Sequence, residues 1–532
     1  MLRRPRDPWF VALLLGWAAL SLASVWLRPL WPVDETRYAS VAWEMWLRSD
    51  FLVPYINGEP YSHKPPLLFW LMHLGWAVFG VNDWWPRLVA PLSALAAVPL
   101  TRMLARLLWP QDEASAGAAA WILVGTSLFA AFVTLLMFDL LLMLCVMGAM
   151  IGVLRLARGE RRAGVLWLGA GIGLGVLAKG PVVLLHVLPV ALVAPWWASE
   201  AKDAPARWYL HVLLGGLVGT ALALAWAVPA GYFGGEAYRN AIFWGQTAGR
   251  VSESFAHRAA WWYYAPLLPV ILFPWLVWPA LWRALGAAGF GRENPGTRFL
   301  AAWLVLTVIG FSFVSGKQAK YLLPMVPGFA LLAGYALSRL QVRARTWEML
   351  LPAIGFLALP GILGVARAKP AALELPEWAA TIPWWPAAIA LCTFPALLGL
   401  ARGGTRVQVR ALAFAVLGGM AVIVAGVMPA IAPYGDAGPT AAHLARLQRE
   451  RVPLAHLGKY HAQYNFAGRL REPIAILDSR ELAPWVAAHP GGQVIVLERT
   501  RHAGAGPRPQ YEAPFRGAWI QVWRGEALAR VR

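Results

Sequence analysis

The side chains able to do chemistry gather first in one stretch, Trp31 to Trp70, which is far too polar to cross a bilayer. It holds the adjacent acids Asp34 and Glu35, a dense set of aromatics, and Lys64 set against Pro65 and Pro66. Asp34 opens a helical pattern, ETRYASVAWEMWLR, where an acid is a preferred N-cap. A capping acid on a membrane-surface helix can also face a substrate, so both roles stay open. Arg37, Glu44 and Arg48 share one face of that helix and Ala39, Trp43 and Trp46 another, as in a helix lying in the interface. Lys64 has two readings as well. A lysine near an interface snorkels to headgroups, but an ammonium held by two prolines also suits a phosphate. Glu35, Arg37, Tyr38 and Tyr61 complete the loop's candidates, as groups that orient a substrate.

Asp139 is the most informative single residue. It is the only charged side chain between Gly117 and Leu154, a run too long for one span, so it sits at or near a turn on the outer side. An ionisable group at that depth is costly and usually functional. Lys179 in LAKGP, and Lys317 and Lys320 in SGKQAKYLLP, fall at outer turns or helix ends, where orientation gives cations no reason to gather. An anionic ligand would, and Tyr321 follows directly with a hydroxyl to offer it. A long outer segment, GYFGGEAYRNAIFWGQTAGRVSESFAHRAAWWYY, adds Arg250 and Arg258 among aromatics, with glycines that permit a lid to move.

These residues need a membrane to position them. The chain has 532 residues, 59% of them hydrophobic and only 14% charged, with a mean hydropathy of +0.53. Uncharged runs of about 20 residues recur, which is the length of a membrane-crossing helix, and only helices or closed barrels satisfy their backbone in lipid. The expected fold is therefore an all-α polytopic membrane protein with about 13 transmembrane helices. They lie at 9–28, 82–109, 115–135, 139–156, 162–178, 181–197, 208–230, 262–286, 298–315, 320–339, 346–366, 381–401 and 408–430. The first follows Arg3, Arg4 and Arg6 but lacks a small-residue cleavage site, so it reads as an uncleaved span. The stretch 65–79 is too short and reads as interfacial or re-entrant.

The net charge of +20 does not point to nucleic acid, because most arginines stand at the ends of apolar runs and no recognition motif appears. With an inner N-terminus, Arg102, Arg106, Arg155, Arg158, Arg161, Arg162 and their later counterparts all fall on inner loops. The outer loops are poorer in basic residues, in keeping with the positive-inside rule, and hold most of the acids of the first half. Residues 1–432 thus form the membrane domain, with outer loops 29–81 and 231–261. After Ala432 the composition changes, and PLAHLG, PIAILD, QVIVLE and AWIQVW read as short strands between amphipathic helices. A small α/β domain over 436–532 is expected on the outer side. Cys145 and Cys392 both lie in apolar runs, so neither a disulfide nor a metal framework is indicated.

Taken together the motifs resemble a known family. D-E-T-R-Y-A at Asp34–Ala39, then Asn57-Gly58, then K-P-P-L-x-x-W from Lys64 to Trp70 are similar to the bacterial transferases that put 4-amino-4-deoxy-L-arabinose on lipid A. They also resemble the wider polyprenyl-phosphate-sugar glycosyltransferases, protein O-mannosyltransferases included. The Asp139 segment, A-K-G-P at Ala178–Pro181, F-W followed by H-R-x-x-x-W-Y-Y, and the run Ser315 to Pro324 match in the same order.

The resemblance implies the large membrane glycosyltransferase C-type fold with its active site on the periplasmic face of the bacterial inner membrane. The donor it implies is an undecaprenyl- or similar polyprenyl-phosphate sugar, and the acceptor it implies is lipid A or another envelope molecule. Asp34 and Asp139 match the family's two acids, and Lys64, Arg250 and Tyr321 its phosphate contacts, to which Lys317 and Lys320 are added. Arg258 joins the orienting residues. Where family members carry an acid–histidine pair after F-W, this chain has Gly245-Gln246-Thr247, so no metal contact carries over there. No cofactor is required, and a divalent metal is possible but not indicated. The rival readings are transfer to protein Ser/Thr, transfer to another envelope glycan, and a lipid transporter. A transporter should show internal repeats, and none is evident.

Overall fold

The computed structural model describes residues 7–245, 259–288, 294–339, 344–502 and 506–531. Among these, nine helical stretches are long and apolar enough to cross a membrane, or ten if one bent pair counts as a span. The protein is a multi-pass helical membrane protein. One of the nine, Trp385–Tyr434, contains two helices, Trp385–Leu400 and Gly404–Ala421, which pack against each other across a break at Gly404.

The opening runs α1 (Pro8–Leu27), α2 (Asp34–Arg48), a two-residue-stranded hairpin β1–β2 (Tyr55–Ile56 and Glu59–Pro60), then α3 (Leu67–Phe79) and α4 (Trp84–Leu108). The run 115–135 divides into α5 (Glu113–Val124) and α6 (Ser127–Val133), bent by 61°. The bend has a partner: the Ser127 N–H donates to the Phe273 carbonyl at 2.9 Å, and the Trp275 indole donates to Thr126 Oγ1 and the Ile122 carbonyl, each at 3.1 Å. The backbone groups freed at the break are thereby satisfied, as a membrane interior demands.

At the centre lies α7 (Asp139–Ala157), buried nearly all round. It packs along α8 (Arg161–Lys179), which is followed by α9 (Val182–Leu192) and the long helix Pro205–Phe233. Small residues permit this closeness, because lipid tails supply no hydrophobic drive and helices must gain from tight packing. A Cβ on Gly152 of α7 would stand 2.3 Å from the Leu168 backbone nitrogen, and one on Gly171 of α8 2.3 Å from that of Ala149.

The last hundred residues carry a five-stranded sheet of order β4-β3-β5-β7-β6. Its strands are β3 (Leu454–Leu457), β4 (Ala475–Leu477), β5 (Gln493–Glu498), β6 (Tyr511–Phe515) and β7 (Ala518–Arg524). The first three are mutually parallel through β3, and β7 runs antiparallel to β5 and β6.

Gly152→Val should destabilise the protein by about 1–3 kcal/mol through overpacking of α7 on α8. Gly117→Ala, where a Cβ meets nothing within 4 Å, should leave stability unchanged or slightly higher. Thermal unfolding of the detergent-solubilised protein reads both.

Candidate active site

The two acids singled out in the sequence are brought to one place by a third. Glu35 is 3% exposed and accepts both arms of Arg28 at 2.5 and 2.9 Å. It also accepts the Trp31 and Leu136 backbone N–H groups, each at 2.6 Å. Arg28 also donates to the Thr134 and Pro29 carbonyls, and Arg87 of α4 donates to the Arg28 carbonyl at 2.9 Å. One carboxylate thus joins the end of α1, the start of α2 and the turn at 134–136 that leads into Asp139. Burial alone would raise the Glu35 carboxyl, but Arg28 and the two amides hold it below its ordinary value. Glu35 is a brace, with its oxygens occupied by protein.

Asp34, next to it, is the more exposed acid, at 37%. It is the first residue of α2 and caps nothing. Instead Arg37 donates to its Oδ1, and Lys320 Nζ stands 3.7 Å from its Oδ2. Arg37 lies against the Tyr38 ring, 5.5 Å from its centroid. Burial pulls the Arg37 guanidinium down, and Tyr61, Tyr38 and Asp34 together outweigh it and raise it. Tyr38, buried, meets Phe138 edge-on at 4.8 Å. Its hydroxyl is pushed well above the usual phenol range by burial, then by Asp34 and Tyr61, with Asp139 also contributing. Ring contacts of Tyr38 with Phe138, and of Phe69 with both Phe138 and Tyr61, bring the start of α2, Tyr61 and the start of α7 into one neighbourhood.

Asp139 begins α7 at 2% exposure, and its Oδ1 accepts Lys179 Nζ at 2.5 Å. The same ammonium stands 5.1 Å from the centroid of the Tyr321 ring. Lys320 and Tyr321 are consecutive, so the short 3-10 helix Ala319–Met325 links the Asp34 group to the Asp139 group. Lys64 Nζ reaches its neighbour's carbonyl, that of His63, at 3.4 Å, and Tyr61 packs between His63 and Phe69.

Lys317 is different. It is 5% exposed, and its ammonium is taken up by the Ala259 and Val314 carbonyls at 3.0 and 2.7 Å. Arg250 and Arg258 lie outside the described residues. Lys179, met in the sequence only as one outer cation among several, is the partner of Asp139. Its signal was the lack of any other charge near Asp139 in the run, since a carboxylate there needs a cation from elsewhere. Among the described residues no group of three or more His, Cys, Asp or Glu side chains could hold a metal ion.

A further wall comes from the C-terminal sheet region. Ser40 of α2 donates to the Ala462 carbonyl at 2.7 Å and accepts the Phe466 N–H at 3.0 Å. The Trp43 indole donates to the Leu470 carbonyl at 2.8 Å, and Phe466 stacks on Trp76 at 5.4 Å. The Asn57 amide donates to and accepts from Ile474 at 2.8 and 2.9 Å. Asn57 and Gly58 both have positive φ, at 53° and 91°, the pattern of an Asn-Gly hairpin turn.

Known proteins resemble this chain in sequence and in fold. The family described as dolichyl-phosphate-mannose-protein mannosyltransferase matches residues 63–226. An undecaprenyl phosphate-α-4-amino-4-deoxy-L-arabinose arabinosyl transferase of Pseudomonas fluorescens (strain Pf0-1) is 32% identical over 62% of this chain and 60% of its own length. Its counterpart in Pseudomonas aeruginosa (strain UCBPP-PA14) is 32% identical over 70% of this chain and 68% of its own. The chain spans about 60% of the length of the first curated relatives it matches. The crystal structure of ArnT from Cupriavidus metallidurans bound to undecaprenyl phosphate superposes with a TM-score of 0.78, covering 97% of this chain and 98% of that one at 20% identity. Its apo form gives 0.74 over 92% of each chain. The overall fold is the one those structures have.

Lys179→Met leaves the Asp139 carboxylate buried without its cation and should cost about 3–5 kcal/mol. Adding Asp139→Asn should restore most of that stability, as thermal unfolding of the single and double variants would show.

Proposed function

We propose, from the premise that this chain belongs to the family of bacterial undecaprenyl phosphate-aminoarabinose arabinosyl transferases, that it is an integral membrane glycosyltransferase. It moves a sugar, 4-amino-4-deoxy-L-arabinose in the relatives' names, from an undecaprenyl phosphate carrier to a lipid acceptor such as lipid A. The observation that carries the reading is the meeting of Asp34, Arg37 and Lys320 with Asp139, Lys179 and Tyr321. A partly exposed acid stands there beside cations suited to a lipid phosphate.

The reaction breaks the bond between the anomeric carbon and the carrier's phosphate oxygen, and the electron pair leaves with the phosphate. That leaving group is a weak base, so it needs charge stabilisation more than a proton. Preorganised cations supply this without reorganising, and Lys64, Lys320 and Arg250 are assigned to it, with a hydrogen bond from Tyr321. Lys317 serves the same strand of chain from behind, fixing the backbone at Val314. The acceptor attacks from the opposite face of the sugar, with inversion. Asp34 steadies the positive charge that develops on the sugar, and takes the acceptor's proton if the acceptor is a hydroxyl. Asp139 acts with Lys179, holding that ammonium against Tyr321.

The topology goes with this reading. Thirteen crossings follow when the bent pair α5–α6, the short α9 with its continuation to Trp197, the broken segment 264–287 and the two helices of Trp385–Tyr434 are each given their place. Asp34 and the domain over 436–532 then share the periplasmic side of the inner membrane, in keeping with the bonds from Ser40, Trp43 and Asn57 to that domain. The mannosyltransferase match over 63–226 favours protein Ser/Thr as the second acceptor class.

Asp34→Asn should lower transfer at least about 100-fold, the scale of losing one preorganised electrostatic group, with expression intact. Mass measurement of lipid A from cells carrying each form reads the outcome. Full transfer by the variant would sink the assignment, and modified protein in place of modified lipid A would move the acceptor to the second class.

A further inference from the structure

The transfer chemistry above leaves unused a second set of basic side chains, Lys459, His461 and Arg516. β3 ends at Leu457, and the chain then runs through Lys459, Tyr460 and His461 to the Ala462 carbonyl that Ser40 holds at 2.7 Å. Ser40 comes three residues after Arg37, one turn along the same face of α2. His461 is therefore carried to the Arg37 end of the site. Arg516 joins from the tip of the β6–β7 hairpin, where its N–H donates to the Tyr434 carbonyl at 2.6 Å.

The charges around His461 act on its imidazole. Partial burial, then Arg37, Lys459 and Arg516, hold its imidazole below the ordinary value, against the opposite pull of Asp34.

Three features make this more than surface charge. Lys459, His461 and Arg516 are exposed, and among the described residues none forms an ion pair with a carboxylate. The neighbouring Arg469 and Arg501, by contrast, pair with Asp83 and Glu512. Arg516 also occupies the first position of a two-residue turn at φ 55°, before Gly517 at 79°. Asn, Asp or Gly hold such a position at less cost. Finally, Lys459 and His461 follow the carboxyl end of β3, the strand flanked by parallel β4 and β5, and ligands of α/β sheets bind outside the carboxyl ends of such strands.

The geometry also assigns the set to one substrate. Lys320 approaches Oδ2 of Asp34 and Arg37 holds Oδ1, and the Ser40–Ala462 bond sets His461 toward the Arg37 side. Direct displacement requires leaving group and acceptor on opposite faces of the sugar. With the donor phosphate given to the Lys320 side, the Lys459 side is left for the acceptor. We propose that Lys459, His461 and Arg516 bind the phosphate-bearing headgroup of an anionic glycolipid acceptor and present it to the sugar beside Asp34. This rests on the transfer reading above.

The test uses the full-length protein with lipid A as the probe. Transfer is followed while lipid A is titrated, and undecaprenyl phosphate binding is measured separately. Lys459→Ala with Arg516→Ala should raise the KM for lipid A at least about tenfold, the worth of one charge-assisted hydrogen bond. Undecaprenyl phosphate affinity and the melting temperature should stay as in the wild type, and Lys459→Arg with Arg516→Lys should recover most of the loss. An unchanged KM, or an equal loss of undecaprenyl phosphate binding, overturns the proposal. So does inhibition of the wild type by millimolar inorganic phosphate that vanishes in the double variant while the KM for lipid A holds, since that assigns the cations to a free anion. A wild type that transfers nothing to lipid A would instead bring down the reading on which the proposal rests.

Discussion

A charged group out of reach of water must find its counter-charge inside the protein, and here that constraint is met first at Arg28 and Glu35. Both are nearly buried, where an uncompensated ion would cost several kcal/mol. The carboxylate is saturated: each of its oxygens accepts one Arg28 N–H and one backbone amide. Because those amides belong to Trp31 and Leu136, satisfying one charge fixes the mutual position of two distant pieces of chain. Asp34 and Asp139 each sit within three residues of a clamped point. Their meeting follows from the electrostatics of a residue that itself touches no substrate in the proposed mechanism.

The same rule sorts the cations. Lys179 neutralises Asp139, Lys317 is solvated by carbonyls, and Lys320 stands apart from Asp34 at 3.7 Å. Only the last arrangement leaves an ammonium with capacity to spare near an open acid. Tight coordination gives rigidity and loose pairing gives a place for a ligand, and both occur within the four residues from Lys317 to Lys320. The tyrosines do related work, since Tyr38 and Tyr321 keep apolar faces against Phe138 and Phe311 while their neighbours are charged.

Much of this was legible in the sequence because membranes punish exceptions. Run lengths disclosed a multi-pass helical protein, and Asp139 stood out as a lone charge in an apolar run. Other points were not legible. Asp34 and Glu35 look alike in a string, yet one is open and the other is enclosed, and only the position of Arg28 and Leu136 decides which. Lys317 and Lys320 are likewise equivalent by spacing, and their fates depend on which carbonyls the preceding helix leaves exposed. The run 115–135 reads as one span because nothing in it forbids a helix. Its 61° bend comes from Phe273 and Trp275, over 140 residues later, which supply the hydrogen bonds that a break requires. Strand β6, with Pro514 inside it, carried no alternation to read. In each case a local pattern was sufficient for the element and silent about its partner.

The bond from Ser40 to the Ala462 carbonyl spans 422 residues, and this sets an order in time. At a synthesis rate of 5–20 residues per second, roughly 20–80 s separate the emergence of the two partners. Through that interval α2 and its hairpin must wait at the membrane surface with Ser40, Trp43 and Asn57 bonded to water. The contacts that fix the outer face of α2 therefore form last, after the helices between Ser40 and Ala462 have been made.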